Sequence, residues 1–375
     1  MQGRIVGVDV ARGVAVLGMF GAHLNDITAT RDPSPAWLVV AEGRPSALFA
    51  VLAGLSIALF TGRRTVPRGP ALVHGWLRVA TRAGVIFVLG VLLMMFGTPV
   101  AVILPSYAVT FLLVAPFIAL RPAVVGALAA VAGLAGPTLM AVLRYPSGQG
   151  PPPVTTARGE SFLLDLVLTG YYPAVVWVAY MLLGLCLGRL DLQSGRVQGL
   201  LAVSGLGLLL LGYGGSDLLR HRVTATSPLT EQLLRADPHS DTTFEVVGNA
   251  GVALLVLAVV LVLTTAPGVA RGGRLLLHPL AAVGAMALTA YSVHIVAIAI
   301  LGEDVVWYPE SNAVLVWFVV VALVGCTLWT RVVGRGPLEW LMRMLTVGAY
   351  RPPSAPAADS PAIPLRGQSG RDNMS

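Results

Sequence analysis

Four ionisable residues stand inside or at the edge of the first apolar run, RIVGVDVARGVAVLGMFGAHLND: Asp9, Arg12, His23 and Asp26. Such groups hold anions and move protons. An ionised side chain in hydrocarbon costs on the order of 3 kcal/mol or more, so residues of this kind usually face a bundle interior and mark function. If the run is helical, the eleven-residue step from Arg12 to His23 leaves them about 20° apart around the axis and about 16 Å apart along it. Asp9 lies one turn before Arg12 and Asp26 one turn after His23, spacings that allow pairing at i,i+3. Arg12 and His23 are therefore the first candidates for a functional site, with Asp9 and Asp26 as their candidate partners. The same residues admit a plain structural reading, an ion pair at the membrane edge and a hydrogen-bonded core histidine. Three on one face of an otherwise apolar span weigh towards function.

The second constellation lies in PLAAVGAMALTAYSVHIVAIAIL, where Thr289, Tyr291, Ser292 and His294 interrupt the apolar pattern. Read as a straight helix from Pro279, it carries His294 about 22 Å along its axis, and His23 lies about 25 Å along from Val6. The two histidines therefore reach similar depths, although Tyr–His pairs also serve simply to glue helices together. Arg78 and Arg82 stand one turn apart at the start of the third apolar span, after Arg63, Arg64 and Arg68. Most of this is ordinary positive-inside charge, yet an i,i+4 arginine pair can cradle a phosphate through its forks. Arg44, in the first outer segment, and Tyr291 are candidate substrate contacts. The stripe Ala11, Ala15, Gly18 and Ala22 predicts a close neighbour for the first helix.

The elements that must position these residues follow from composition. The 375-residue chain is 56% hydrophobic and 11% charged, and its mean hydropathy is +0.79. Soluble domains carry about 25% charged residues, so the sequence predicts an all-α, polytopic integral membrane bundle. About ten apolar windows are long enough to span: 6–27, 45–61, 79–97, 101–120, 122–142, 168–188, 197–213, 246–266, 279–301 and 312–332. Pro105 and Pro116 are expected to kink the fourth. With both termini in the cytoplasm, the inner side holds 18 Arg and 5 acids and the outer side 7 and 13, as the positive-inside rule requires. Residues 1–350 form the membrane domain, and the Pro-, Ala- and Ser-rich 351–375 a disordered cytoplasmic tail. Outer segments 28–44, 143–167 and 214–245 are long enough to cap the outer face, the last with a short helix at LTEQLLR. All basic residues are Arg, and no basic patch is interleaved with aromatics, so nucleic acid is excluded as a partner. Cys186 and Cys326 fall in apolar spans and imply neither a disulfide nor a metal framework. No P-loop, GxGxxG, HExxH, CxxC or GxSxG is present, so any cofactor must dock on the bundle itself.

Arg12-GVAVLGMFGA-His23 has the R-x10-H spacing of membrane acyltransferases that modify bacterial surface sugars. The opening RIVGVDVARGVAVLGMF resembles more closely the bacterial relatives of heparan-alpha-glucosaminide N-acetyltransferase, and SALFAVLAGLSIAL is similar to that family's second span. TGYYPAVVWVAYMLLGLCLGRLDL and VGAMALTAYSVHI resemble signatures of YeiB-like bacterial proteins, so the likeness covers most of 4–333. The resemblance implies acyl transfer, with acetyl-CoA or another acyl-CoA as cytosolic donor, to a hydroxyl or amine of an envelope glycan or small-molecule acceptor. The protein would sit in the bacterial plasma membrane, with a homodimer an admissible state. His23 would be the general base, with Asp26 and His294 beside it in the catalytic set, and Arg12 and Arg78 or Arg82 would line the donor's path. The basic pair is R-x3-R where the surface-sugar enzymes show R-x2-R. The rival reading is a transporter or flippase for a small anionic or lipid-linked substrate, using the same Arg and His. The paired repeats and broken helices of that class are not visible in the sequence. A non-catalytic assembly protein is a third reading.

Overall fold

The computed structural model describes residues 4–24, 40–144, 162–307 and 311–348, and among these every regular element is helical. Asp26, most of outer segments 28–44 and 143–167, and the tail 351–375 lie outside the described residues. The principal helices are α1 Val6–His23, α2 Arg44–Phe60, α3 Pro70–Met94, α4 Leu104–Val114, α5 Pro122–Arg144 and α6 Ala174–Leu187. They continue with α7 Gly195–Leu209, α8 Thr243–Thr265, α9 His278–Ala285, α10 Ala287–Leu301, α11 Ala313–Val332 and α12 Pro337–Arg343. A backbone in hydrocarbon must satisfy its polar groups within the segment, which leaves helices as the spanning form for such apolar runs.

Each of the ten expected windows holds helix. Six helical stretches are long and apolar enough to cross, or up to eight if each of two bent pairs is one span. α2 and the stretch Leu104–Ala119 are shorter apolar helices. In the fourth window Pro105 stands in the first turn of α4, and Pro116 sits in a 3-10 turn, Ala115–Ala119, that ends it. The sixth window bends by 59° between Phe162–Thr169 and α6, and the ninth by 80° between α9 and α10. The straight helix expected from Pro279 is therefore incorrect. α3 begins at Pro70, so Arg78 and Arg82 lie inside the helix and not at its start. The outer segment does form a short helix, Pro228–Leu234, capped by the Ser227 hydroxyl, which accepts from Thr230 N at 3.2 Å.

α1 and α8 occupy the centre. Of each one's span 61% is buried, against 11% for α11, whose Val316, Trp317, Val321 and Val324 are exposed. Ala11, Ala15 and Val16 of α1 are wholly enclosed. The tightest approach to α1 is made on a face adjoining the predicted small-residue stripe. A Cβ on Gly13 would lie 2.1 Å from Leu280 O, and one on Gly284 would lie 1.7 Å from Asp9 O. Gly18 of the stripe does admit a neighbour, Pro45, whose Cγ would stand 2.6 Å from a Cβ there.

The connections sort onto the two ends of the bundle. At one end the Arg189 guanidinium donates to the carbonyls of Arg63 (2.8 Å), Thr65 (2.8 Å) and Ile118 (3.0 Å), and Arg64 pairs with Asp191. At the other, Arg44 lies over the Tyr213 ring at 4.8 Å, and His239 packs on Tyr171 and Tyr172. The first grouping joins segments 62–78 and 189–196, and the second joins 28–44, 168–173 and 213–245.

Candidate functional site

α1 ends at His23, and α10 brings His294 to it. His23 Nδ1 and His294 Nε2 are 2.9 Å apart, a hydrogen bond across 271 residues of chain. The rings stack at 5.2 Å with an interplanar angle of 11°. Phe20, one turn back on α1, packs on His294 at 4.6 Å, and Tyr291, one turn back on α10, at 5.0 Å. Tyr291 is fixed in turn by its hydroxyl, which accepts from Ile103 N at 3.3 Å. His294 is 2% exposed, and its Nδ1 is buried without a well-aligned partner beside the carbonyls of Tyr291 and Ala290. Shared depth for the two histidines thus holds, although it is reached by a broken helix.

The pairing expected inside α1 is also present, with two partners the sequence did not supply. Asp9 receives Arg12 Nη1 at 3.0 Å and also the Arg4 guanidinium. Arg12 Nη2 donates to Ser56 Oγ of α2 at 2.7 Å, and Ser56 donates to Leu52 O at 2.6 Å. Both oxygens of Asp9 and both ends of the Arg12 fork are thereby held. Asp26, the expected orienter of His23, lies outside the described residues.

Arg12 and Arg82 line one cavity of about 390 Å³ with Ser56, Phe60, Tyr107 and Glu339. Its remaining wall is largely apolar, from Phe49, Leu52, Ile86 and Leu104. Arg82 stands 4.6 Å over the Phe60 ring, and no described carboxylate pairs with it. Arg78 does not line this cavity. Its Nη1 donates to Phe60 O at 2.9 Å, and its guanidinium lies 5.4 Å from the same ring. A second, wider cleft of about 1020 Å³ shares Ala285 with this cavity and is lined by Arg4, Asp9, His278, Arg331, Arg335 and Trp340.

Glu339 of α12 went unnoticed in the sequence because nothing local distinguishes it from a cytoplasmic surface acid. Its Oε1 accepts from Leu288 N (2.8 Å) and Thr289 N (3.1 Å), and its Oε2 from Thr289 Oγ1 (2.6 Å). It thereby caps the start of α10, where a helix presents unpaired N–H groups and partial positive charge. Arg44, taken as a substrate contact, lies against Tyr213, whose hydroxyl donates to Asn249 Oδ1 at 2.6 Å.

The comparisons match this layout in two parts. The family model described as "Heparan-alpha-glucosaminide N-acetyltransferase, catalytic" covers residues 4–204, and that described as "Protein of unknown function (DUF418)" covers 219–349. No curated protein matches the chain. Arg12, His23, Ser56 and Arg82 fall in the first part, and His239, His294 and Glu339 in the second. The first match takes in more than half of the chain, with the R-x10-H helix at its head, and this multi-pass membrane protein belongs to the family of heparan-alpha-glucosaminide N-acetyltransferase catalytic domains.

Proposed function

We propose that the protein transfers an acetyl group from acetyl-CoA, bound from the cytoplasmic side, to a hydroxyl or amine of an acceptor on the opposite side. The contact that carries this reading is the 2.9 Å bond between His23 Nδ1 and His294 Nε2. A general base must be neutral, oriented and within hydrogen-bond reach of its proton. With Nδ1–H of His23 donating to His294 Nε2, the Nε2 lone pair of His23 is free to act as the base. His294 is then the Nδ1–H tautomer, and that N–H lies beside the Tyr291 and Ala290 carbonyls. In this tautomer His294 orients His23 as a carboxylate orients a catalytic histidine.

In the proposed step His23 Nε2 takes the acceptor's proton as its oxygen or nitrogen attacks the thioester carbonyl. The C–S bond then breaks, and the imidazolium returns the proton to the departing CoA thiolate. The donor's acyl arm fits the cavity between Arg12 and Arg82, whose volume lies in the range of about 300–1,000 Å³ usual for small-molecule sites. Its apolar wall suits the arm's methylenes, and Ser56, Arg12 and Arg82 offer donors to the arm's carbonyls. The wide cleft with Arg4, Arg331 and Arg335 supplies charge for the phosphorylated end. Arg78 would steer the anionic donor from outside the cavity, and Tyr291 would close the space around the thioester. Arg44 would act at the acceptor side.

One observation favours the transporter reading, the two broken spans, which are a mark of that class. There, however, a free half-helix N-terminus faces the substrate anion, whereas here Glu339 already occupies the start of α10. Release of free CoA from acetyl-CoA by purified protein tests the proposal. His23→Ala is expected to lower turnover by about 10²–10⁴ with donor affinity little changed. Equal turnover in both proteins sinks the assignment.

A further inference from the structure

The donor reading divides one molecule of acetyl-CoA between two spaces, and a single short helix stands between them. The acyl arm is placed in the cavity of about 390 Å³ and the phosphorylated end in the cleft of about 1020 Å³. Among the described residues that line them, Ala285 alone is common to both. α12 presents Glu339 and Met342 to the cavity, and Pro337 and Trp340 to the cleft. The members of each pair are one turn apart, so α12 turns one stripe of side chains to each space. A donor that fills both must therefore lie across the contact between α12 and the start of α10.

That contact is a clasp. Glu339 bonds α10 at three points, accepting from Leu288 N, Thr289 N and the Thr289 hydroxyl. The same hydroxyl accepts from Leu338 N at 3.2 Å. Hydrogen bonds to a carboxylate are stronger than neutral ones, and the start of α10 adds its partial positive charge. Yet this carboxylate stands in the cavity that holds Arg12 and Arg82. A negative charge fixed there opposes an anionic donor, the more so in weakly polar surroundings. Glu339 thus favours the empty, shut cavity over the filled one.

The remainder of α12 is lightly held, and the chain enters it through a flexible point. Gly334, between α11 and α12, has φ 97°, and a Cβ there would meet nothing within 4 Å, so the backbone turns in open space. A few residues of this kind can absorb the backbone change of a closing element. Gly336 is instead pressed into the clasp, where a Cβ would lie 2.9 Å from Thr289 Oγ1. Within α12 only Met342 is buried, while Trp340 and Leu341 are exposed.

We propose that α12 is a strap that shuts the donor cavity in the donor-free protein, with Glu339 as its latch on α10, and that donor entry requires the latch to open. This rests on the assignment of the two spaces to acetyl-CoA. The donor then binds only the fraction of molecules whose strap is open, and its apparent affinity is reduced by that fraction. Weakening the latch should therefore tighten donor binding. Removing a donor contact or a purely structural bond would instead weaken binding or leave it unchanged.

Latch strength is varied at Thr289, which lines neither space. Thr289→Val removes the hydroxyl, and Thr289→Ser keeps it. Binding of CoA and acetyl-CoA to the full-length protein is measured calorimetrically and by stopped flow. Opening is read separately and without donor, by the rate at which Met342→Cys, in a Cys186→Ser, Cys326→Ser background, reacts with a water-soluble maleimide. Thr289→Val is expected to lower the donor Kd, speed donor association and speed labelling, each at least about 10-fold. Thr289→Ser should match the wild type. Should Thr289→Val not fold, Glu339→Gln carries the same expectation, since it keeps an oxygen for the two N–H groups and removes the charge. Unchanged labelling overturns the proposal, as does donor binding that is measurable but no tighter than in the wild type. If labelling accelerates while neither CoA nor acetyl-CoA binds any of the proteins, the strap stands and the donor reading of the two spaces fails.

Discussion

At the scale of single residues, the sequence disclosed the ionisable line of α1 and half of its partners. Asp9 and Arg12 were legible because i,i+3 spacing is local. Ser56, Arg4 and Glu339 were not, since their roles depend on where other helices come to lie. The added partners change what substitution should do. Asp9 keeps Arg4 when Arg12 is removed, whereas two guanidinium groups lose their shared carboxylate when Asp9 is removed. Breaking a buried pair by deleting one member costs on the order of 3 kcal/mol, mostly through the charge left behind. Asp9→Ala is therefore expected to lower the thermal midpoint more than Arg12→Ala does, and Arg12→Ala to weaken acetyl-CoA binding with less loss of stability. Thermal unfolding and donor titration on both variants and on the double variant check this. If the double variant binds donor as tightly as wild type, Arg12 serves the fold alone.

At the scale of elements, the apolar windows were legible because length and hydropathy are properties of a segment. The breaks were not. The ninth window has no proline near Met286, and the chain turns there because Glu339, 53 residues on, satisfies the N–H groups that a continuing helix would have bonded itself. Close contact of Gly284 with the α1 backbone holds the preceding segment against Asp9 and Gly13. The break is thus set by tertiary contacts, which no window average can contain. His294 still meets His23 because the break redirects α10 without removing it from the face of α1. Adding side-chain volume at Gly284 should separate α9 from α1 and pull the histidines apart. Gly284→Val is expected to lower stability strongly and abolish CoA release, since a Cβ there would lie 1.7 Å from Asp9 O. Gly207→Ala on α7 meets nothing within 4 Å and serves as the control, neutral or stabilising by up to about 1 kcal/mol. A folded, active Gly284→Val protein would show that the contact is dispensable.

At the scale of the whole molecule, the arginine at 189 ties several connections together at one end of the bundle. The Arg12–Arg82 cavity and the histidine pair then lie at different heights along α1, about 16 Å apart by helical rise. Two sites at different heights suit a reaction in which donor and acceptor arrive from opposite sides and only the acyl group passes between them. A transporter would instead move its solute past both sites unchanged. The prediction is made in proteoliposomes containing protein of one orientation, selected by protease access to residues 62–69. Acetyl-CoA is supplied on the side of those residues, and glucosamine is enclosed on the other. Free CoA is expected to accumulate only with the donor, and N-acetylglucosamine only with the acceptor. Arg82→Ala should reduce donor consumption, because it removes the cavity's one arginine without a described carboxylate partner, while passive glucosamine leakage stays constant. Product and CoA appearing in the same compartment would mean that both sites open to one side. Glucosamine crossing unmodified, at a rate that falls with His23→Ala and without release of CoA, would establish the transporter instead.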